Sequence, residues 1–377
     1  MNPKLHRAFH LFTLLALMLG LGACRTYYQK SADFQEYIRQ GNMEKALKSM
    51  KDDGKGSKGK NRFLYFVNKG WVNRMLDRYE ESNDLFQQAD IYLEDFHKKL
   101  GLEALTLISN PNVKPYAPED FEKIFVNYYK ALNYLGQGQQ EAALVECKRI
   151  NLQLQQLNDK YKDHKNRYQQ DAFAHLMMGL IYEQNNDWNN AFIAYRNAYD
   201  IYQSDYAENF GVEAPGQLKR DILRTAYLMG FTEDLRYYEN KFGMSYRHKE
   251  HAGGELVFLW HNGFGPVKSE WSINFSVSEG QGGWVNFVND EYGLSFPFYV
   301  GDKSKEEKSA FAKLHFMRVA FPKYQERKPV FESARLVAGN QTYNLQPAEN
   351  INAIAFKTLQ DRMIREISNS LLRLATK

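Results

Sequence analysis

The sequence predicts an α-then-β protein: an N-terminal helical solenoid, a small antiparallel β-sandwich-like domain, and a closing C-terminal amphipathic helix. Three observations carry this. Up to about residue 245, small and apolar residues recur at helical spacing in paired segments separated by short polar turns. From Trp271 the period falls to two, with Trp271, Ile273, Phe275 and Val277 alternating with Ser272, Asn274 and Ser276. From Asn350 the helical period returns, and Ile351, Ala355, Leu359, Met363, Ile367 and Leu371 form one apolar stripe with Ile354, Ile364 and Leu374 beside it.

The helical part is organised around Asp171–Tyr199, two antiparallel helices joined at Asn185-Asn186-Asp187. Gly179, Tyr182, Trp188, Ala191, Tyr195 and Ala198 recur at the offsets of a tetratricopeptide (TPR) unit. The small residues let the helices approach and the aromatic ones fill the space between. Gly70, Tyr79, Phe86 and Ala89 repeat those offsets in Phe63–Phe96, and Ala131, Tyr134, Ala143 and Cys147 fall in register in Phe121–Leu157. Ser31–Met50, with Tyr37, Ala46, Met50 and a turn at Gly41, reads as a first pair. Gln217–Gly243, turning near Gly230, reads as a closing pair. The TPR-like domain therefore spans 33–245.

Ahead of it, Lys4 and Arg7 precede the apolar run LFTLLALMLG, which is too short to span a bilayer. LGAC follows, and this arrangement resembles the lipobox of bacterial lipoproteins. That resemblance makes 1–23 a signal peptide, Cys24 the lipidated N-terminus and 24–32 a tether. Arg25 stands where an Asp would favour inner-membrane retention, so the expected address is the outer membrane. Removing Lys4 and Arg7 from the 49 basic residues leaves 47 against 45 acids, a balance that gives no support for nucleic-acid binding. Hydrophobic content of 44% and aromatic content of 15% argue against disorder. Cys147 is the other cysteine, placed at a packing offset and expected to be a buried, inert thiol.

The loop Lys51–Lys60 carries Gly54, Gly59 and Lys60 at P-loop spacing, but Asn61 replaces the magnesium-binding hydroxyl and no strand precedes it, so it reads as a solvated basic loop. Three prolines in Pro111–Asp120 break the helices. In the β-rich domain, 253–347, apolar runs recur at Glu255–Trp260, Trp284–Val288, Leu314–Phe321 and Val330–Val337. Gly253-Gly254, Gly282-Gly283 and Gly339-Asn340 are the turns between them, and Gly301–Lys308 is a polar loop. The C-terminal helix, 350–375, is expected to dock on the sheet.

PYAPEDFEKIFVNYYKALNYLGQGQQEAALVECKRIN, the Asp171–Tyr199 stretch, DILRTAYLMGFTEDLRYYENKFG and GELVFLWHNGFGPVKSEW together resemble an uncharacterised family of bacterial TPR-containing outer-envelope lipoproteins. The similarity runs from about residue 30 to near the C-terminus. It implies an envelope protein with no assigned activity, and relatives that continue past the helix ending this chain.

Candidate chemistry is sparse. His248 and His251, with Glu255 and His261 nearby, have metal-like composition, but they lie in a linker with no HExxH helix, and unliganded histidines are the simpler reading. His175 reads as a packing or groove residue. No cofactor, metal or catalytic constellation is expected. The function read from the sequence is a protein-interaction scaffold serving envelope or peptidoglycan biogenesis, with an envelope protein or peptide as partner and the membrane reached through Cys24. The alternative is an envelope hydrolase with its site near His248–His261. The groove-facing offsets are Leu64, Val67, Trp71 and Arg74, then Phe125, Tyr128 and Leu132, then Phe173, Leu176 and Glu183.

Overall fold

The computed structural model describes residues 31–50, 55–103, 115–160, 168, 170–248, 254–279, 284–299 and 316–375. Cys24, the signal peptide, His251, the Gly282-Gly283 turn and the Gly301–Lys308 run lie outside the described residues.

Among the described residues, five helical hairpins come first. They are α1 (Ala32–Arg39) with α2 (Met43–Ser49); α4 (Arg62–Met75) with α5 (Tyr79–Glu103), after the single turn α3 (Lys55–Lys58); α6 (Asp120–Gly136) with α7 (Gln140–Lys160); α8 (Ala172–Gln184) with α9 (Trp188–Ile201); and α11 (Gly216–Leu228) with α12 (Thr232–Phe242). A π-helical turn, Tyr202–Tyr206, and the short α10 (Ala207–Phe210) prolong α9. Second helices pack on their own first helix and on the first helix of the next hairpin, which makes the array continuous.

One turn is used five times. Gly41, Asp77, Gly138, Asn186 and Gly230 all have left-handed φ, between +57° and +71°. At each, that residue's N–H and the next one's donate back to the last turn of the first helix, as Asn186 does to Glu183 O and Asp187 to Tyr182 O. This is the Schellman motif, which satisfies carbonyls that the helix end leaves open. Glycine adopts the conformation without cost at three positions, and Asn and Asp are the side chains that best tolerate it at the other two.

The packing positions follow one rule of complementary size. A Cβ on Gly179 would overlap the Tyr195 ring, and one on Gly70 would lie 3.2 Å from Phe86. In the third hairpin Ala131 replaces glycine, and its counterpart shrinks from a ring to Cys147 within the same buried cluster. Burial pushes the Cys147 thiol up to about 12, so it stays protonated and inert.

Polar groups fix the register between the second and third hairpins. The buried Lys130 ammonium reaches Asp90 at 2.8 Å and Glu146 at 3.1 Å, tying α5, α6 and α7 together. Asn133 donates to Ser82 and Asn83 and accepts from Arg74 at 2.7 Å. A buried ammonium that lost these partners would be strongly destabilising, so other packings of the two hairpins are disfavoured.

After α12 an extended segment leads to a four-stranded antiparallel sheet in the order β3-β2-β1-β4, with β1 Val267–Glu279, β2 Trp284–Asn289, β3 Leu294–Tyr299 and β4 Phe316–Gln325. The register pairs Ile273 with Val319, Val277 with Phe287 and Phe287 with Phe296, which gathers one apolar face. The expected sandwich is corrected here. Among the described residues no second sheet covers that face. The helix α13 (Ile351–Ala375) covers it instead, placing Ile367 and Leu371 in the sheet core. β5 (Arg335–Ala338) and β6 (Gln341–Asn344) form a separate, mostly exposed hairpin. The run Glu255–Trp260 is also corrected: it contains no strand. Conversely, β3 is hidden in the sequence, because Pro297 argues against a strand. It is accommodated because β3 lies at the sheet edge.

The two halves share one core. Ile354, Ala355 and Leu359 of α13 lie in the helical core together with Tyr324 of β4, and Met363 packs against both this cluster and that of the sheet. Beside this seam the buried Glu119 carboxylate, at the N-cap of α6, accepts from Arg362 of α13 at 2.6 and 2.7 Å and from Lys268 of β1 at 2.6 Å. Burial alone would raise its pKa, but the two cations outweigh burial and hold it at about 2.

Gly179→Ala should lower the melting midpoint, an overpacking cost of about 1–3 kcal/mol, and Gly70→Ala should lower it less. Equal melting of both variants and the parent would contradict the close contact. The Glu119 clamp makes a separate, pH-dependent prediction. Its folded pKa is depressed, so its contribution is complete above the ordinary value of about 4.5 and is lost as pH falls towards 2. Glu119→Gln should cost on the order of 2–3 kcal/mol near neutrality and flatten the stability–pH curve between those limits. A parent and variant with parallel curves would show that the clamp contributes nothing.

Candidate docking surface

The first helices α1, α4, α6, α8 and α11 together make one face of the array, and the residues expected to line a groove are all on them. Their surroundings differ. Leu64, Val67 and Trp71 are half-buried against the core of the second hairpin. Tyr128, Leu132 and Phe173 belong to the main helical core, with Phe125 and Leu176 packed against it. Tyr128 is only 3% exposed, so it is a core residue with one hydroxyl to offer rather than an open wall.

The rings form a connected strip. Phe125 meets Tyr128 at 5.1 Å, Tyr128 meets Phe173 at 5.7 Å, and Tyr129 stacks on Phe86 at 5.8 Å. The charged members are paired. Arg74 donates to Asn133, and Glu183 accepts from Tyr195 at 2.6 Å while bonding Arg224. Arg224 is also held by Asp221 at 2.8 Å, and these acids outweigh its burial and raise its pKa.

Arg224, Tyr227 and Tyr129 are residues of this face that the groove reading missed. The first two were findable. Counting back from the left-handed residue of each turn, Arg224 shares its offset with Trp71 and Leu132, and Tyr227 shares its offset with Arg74 and Glu183. The offset rule thus extends to the last hairpin, beyond the three from which the groove was read. Tyr129 sits outside the rule, between Tyr128 and Lys130, and only the packing of α6 on α5 shows its place.

The face carries an occupant. Residues 244–248 and 254–266, after α12, lie over it, and their side chains meet first helices and the chain just past β4. Tyr246 and His248 pack on Tyr227, with the His248 ring stacked 5.0 Å away. Glu255 bonds Arg224 at 3.0 Å, and Leu259 packs against the helical core. His261 lies over α6, its Nε2 2.8 Å from the Tyr128 hydroxyl and its ring edge-on to Tyr128 and Tyr129. Phe264 sits between Arg39 of α1 at 5.6 Å and Arg327 at 4.6 Å.

The His261–Tyr128 bond has a defined direction. Desolvation and the nearby Arg74 charge lower the His261 pKa, while burial raises that of Tyr128. A neutral imidazole therefore faces a protonated phenol, and Tyr128 O–H donates to Nε2.

The histidine cluster does not converge. His248 lies against Tyr227, Glu255 against Arg224, and His261 against α6. Among the described residues no three His, Cys, Asp or Glu side chains gather as a metal site. His175 lines a polar cavity of about 480 Å³ with Asn151, Gln155, Asn197, Asp200 and Ser204, and burial lowers its pKa to about 4. Among the described helices none is long and apolar enough to cross a membrane.

Tyr128→Phe should cost about 0.5–1.5 kcal/mol and should raise the His261 pKa, since the neutral imidazole loses its donor. An NMR titration of His261 unchanged by the substitution would show that the bond does not form in solution.

No protein-family model and no curated protein sequence matches this chain. Solved structures resemble it weakly. A crystal structure of MamA is 12% identical, covering 55% of this chain and 91% of its own, with a TM-score of 0.34. MamA 41-end from Desulfovibrio magneticus RS-1 is 14% identical, covering 57% and 89%, at the same TM-score of 0.34. A Podosopora anserina putative kinesin light chain with nearly identical TPR-like repeats is 13% identical, covering 57% and 96%, also at 0.34. At this level the likeness goes no further than helical repeats, and no role passes from these proteins to this chain.

Proposed function

We propose that this chain is a membrane-anchored lipoprotein of the bacterial cell envelope whose TPR-like array is a protein–protein docking scaffold. The anchor is lipidated Cys24, the membrane is the outer one, and the partner is an envelope protein or peptide engaged in envelope or peptidoglycan biogenesis. One observation carries the docking half of this reading. The face built from successive first helices already holds a length of extended chain, side chain by side chain, through aromatic and charged anchors of the kind that dominate interfaces. The lipobox supports the anchor. The hydrolase alternative gains no support from the described members of the histidine cluster, because His248 and Glu255 lie against α11 and His261 against α6.

Photocrosslinking tests the scaffold. A photoreactive residue at Tyr227, on the occupied face, should give a discrete adduct in native envelopes. One at Val145, exposed on the second helix α7, should not. No adduct at Tyr227, or the same adduct at Val145, would remove the reading. The anchor has its own test: Cys24→Ala should shift the protein from the membrane pellet to the soluble fraction. A variant that pellets as tightly as the parent would show that Cys24 is not the anchor.

A further inference from the structure

Resting on the docking reading above, we infer that residues 254–266 are a built-in occupant of the first-helix face, a strap that a true partner displaces. The partner is then an extended peptide that reproduces the strap's anchors: a carboxylate for Arg224, a ring acceptor for the Tyr128 hydroxyl, and an aromatic ring for the Arg39–Arg327 pair. Glu255, His261 and Phe264 set the spacing. In extended chain the first interval spans roughly 20 Å, and the second turns at Gly263, whose φ is +81°.

Three features distinguish a strap from a structural strand. First, none of the backbone–backbone hydrogen bonds found among the described residues involves 254–264; the segment is held by side-chain contacts, Asn262 donating to the Phe331 carbonyl among them, and by Gly263 packed close to Pro329. Second, the charged anchor is weak. Glu255 is 62% exposed, which places its pairing with Arg224 in the range of about 0–1 kcal/mol. Third, Leu256, Val257 and Phe258 are 71, 54 and 48% exposed, three successive large apolar side chains that the fold leaves uncovered. A segment contributing to stability would bury them.

Both ends of the strap are fixed, one to α12 and one to β1. Its ordering cost is thereby largely met by the fold, and it competes at an effective concentration of about millimolar against any free peptide. Weak contacts then suffice to keep the face occupied. A partner with better-buried anchors replaces it.

The test uses the mature full chain and a fluorescent peptide of the strap's own sequence, GELVFLWHNGFGP, read by polarisation. Two variants loosen the strap: Glu255→Arg, which sets like charges against each other at Arg224, and the triple change Glu255→Arg, His261→Ala, Phe264→Ala. Both should bind the peptide at least about tenfold more tightly than the parent. Equal affinity in all three proteins, or no binding to either variant while helicity and melting match the parent, would overturn the inference. Should the triple variant melt early, Glu255→Arg carries the test, because its side chain is exposed and the fold does not depend on it. Peptide binding without a Tyr227 adduct in envelopes would keep the strap and remove the scaffold. The adduct without peptide binding would do the reverse.

Discussion

The helix Ile351–Ala375 has one apolar stripe and two cores to cover, and the rest of the structure depends on that division. Its first half completes the helical core through Ile354, Ala355 and Leu359, and its second half supplies Ile367 and Leu371 to the sheet. A four-stranded sheet with one apolar face cannot persist without a second layer. This helix is that layer, and it is already committed to the hairpins at its other end. Arg362, on the flank of the stripe, adds the bond to Glu119 that sets the helix against α6. The sheet is therefore held in a fixed place relative to the array.

That placement determines what the connecting segment can do. Leaving α12 at the last hairpin and entering β1 beside α6, the chain has to travel back along the array. The first-helix face is where its side chains find partners. Among the described residues the segment forms no strand, and it meets the helices through its side chains. What remains is recognition by side chains alone. This makes the segment specific in its anchors and weak in its total hold.

The helical half was legible because its constraints are local and repeated. Gly179 opposite Tyr195, Gly70 opposite Phe86 and Ala131 opposite Cys147 are compensating pairs at fixed offsets, and a left-handed residue marks every turn. The β half was legible only where alternation is uninterrupted, as in Trp271–Val277. Pro297 disguised a real edge strand, and the apolar composition of Glu255–Trp260 suggested a strand that has no neighbour to pair with. Composition cannot separate those cases, because pairing is a long-range property of the sheet. The sandwich was inferred from apolar runs that need a second layer. The layer was in plain view as the C-terminal stripe, but a stripe does not say how many cores it serves.

The groove residues show where offset reasoning ends. The same position in successive hairpins faces the same side, yet its exposure depends on what lies over it. Tyr128 meets the sequence criterion for a docking anchor and is also part of the main core, so truncating it would confound folding with binding. Arg74, Glu183 and Arg224 are likewise spent partly on internal bonds. The side chains that touch this face without holding the fold together are on the other side of the contact, at Glu255, His261 and Phe264. A surface built from core residues can be probed cleanly only through its occupant, and this chain carries an occupant of its own.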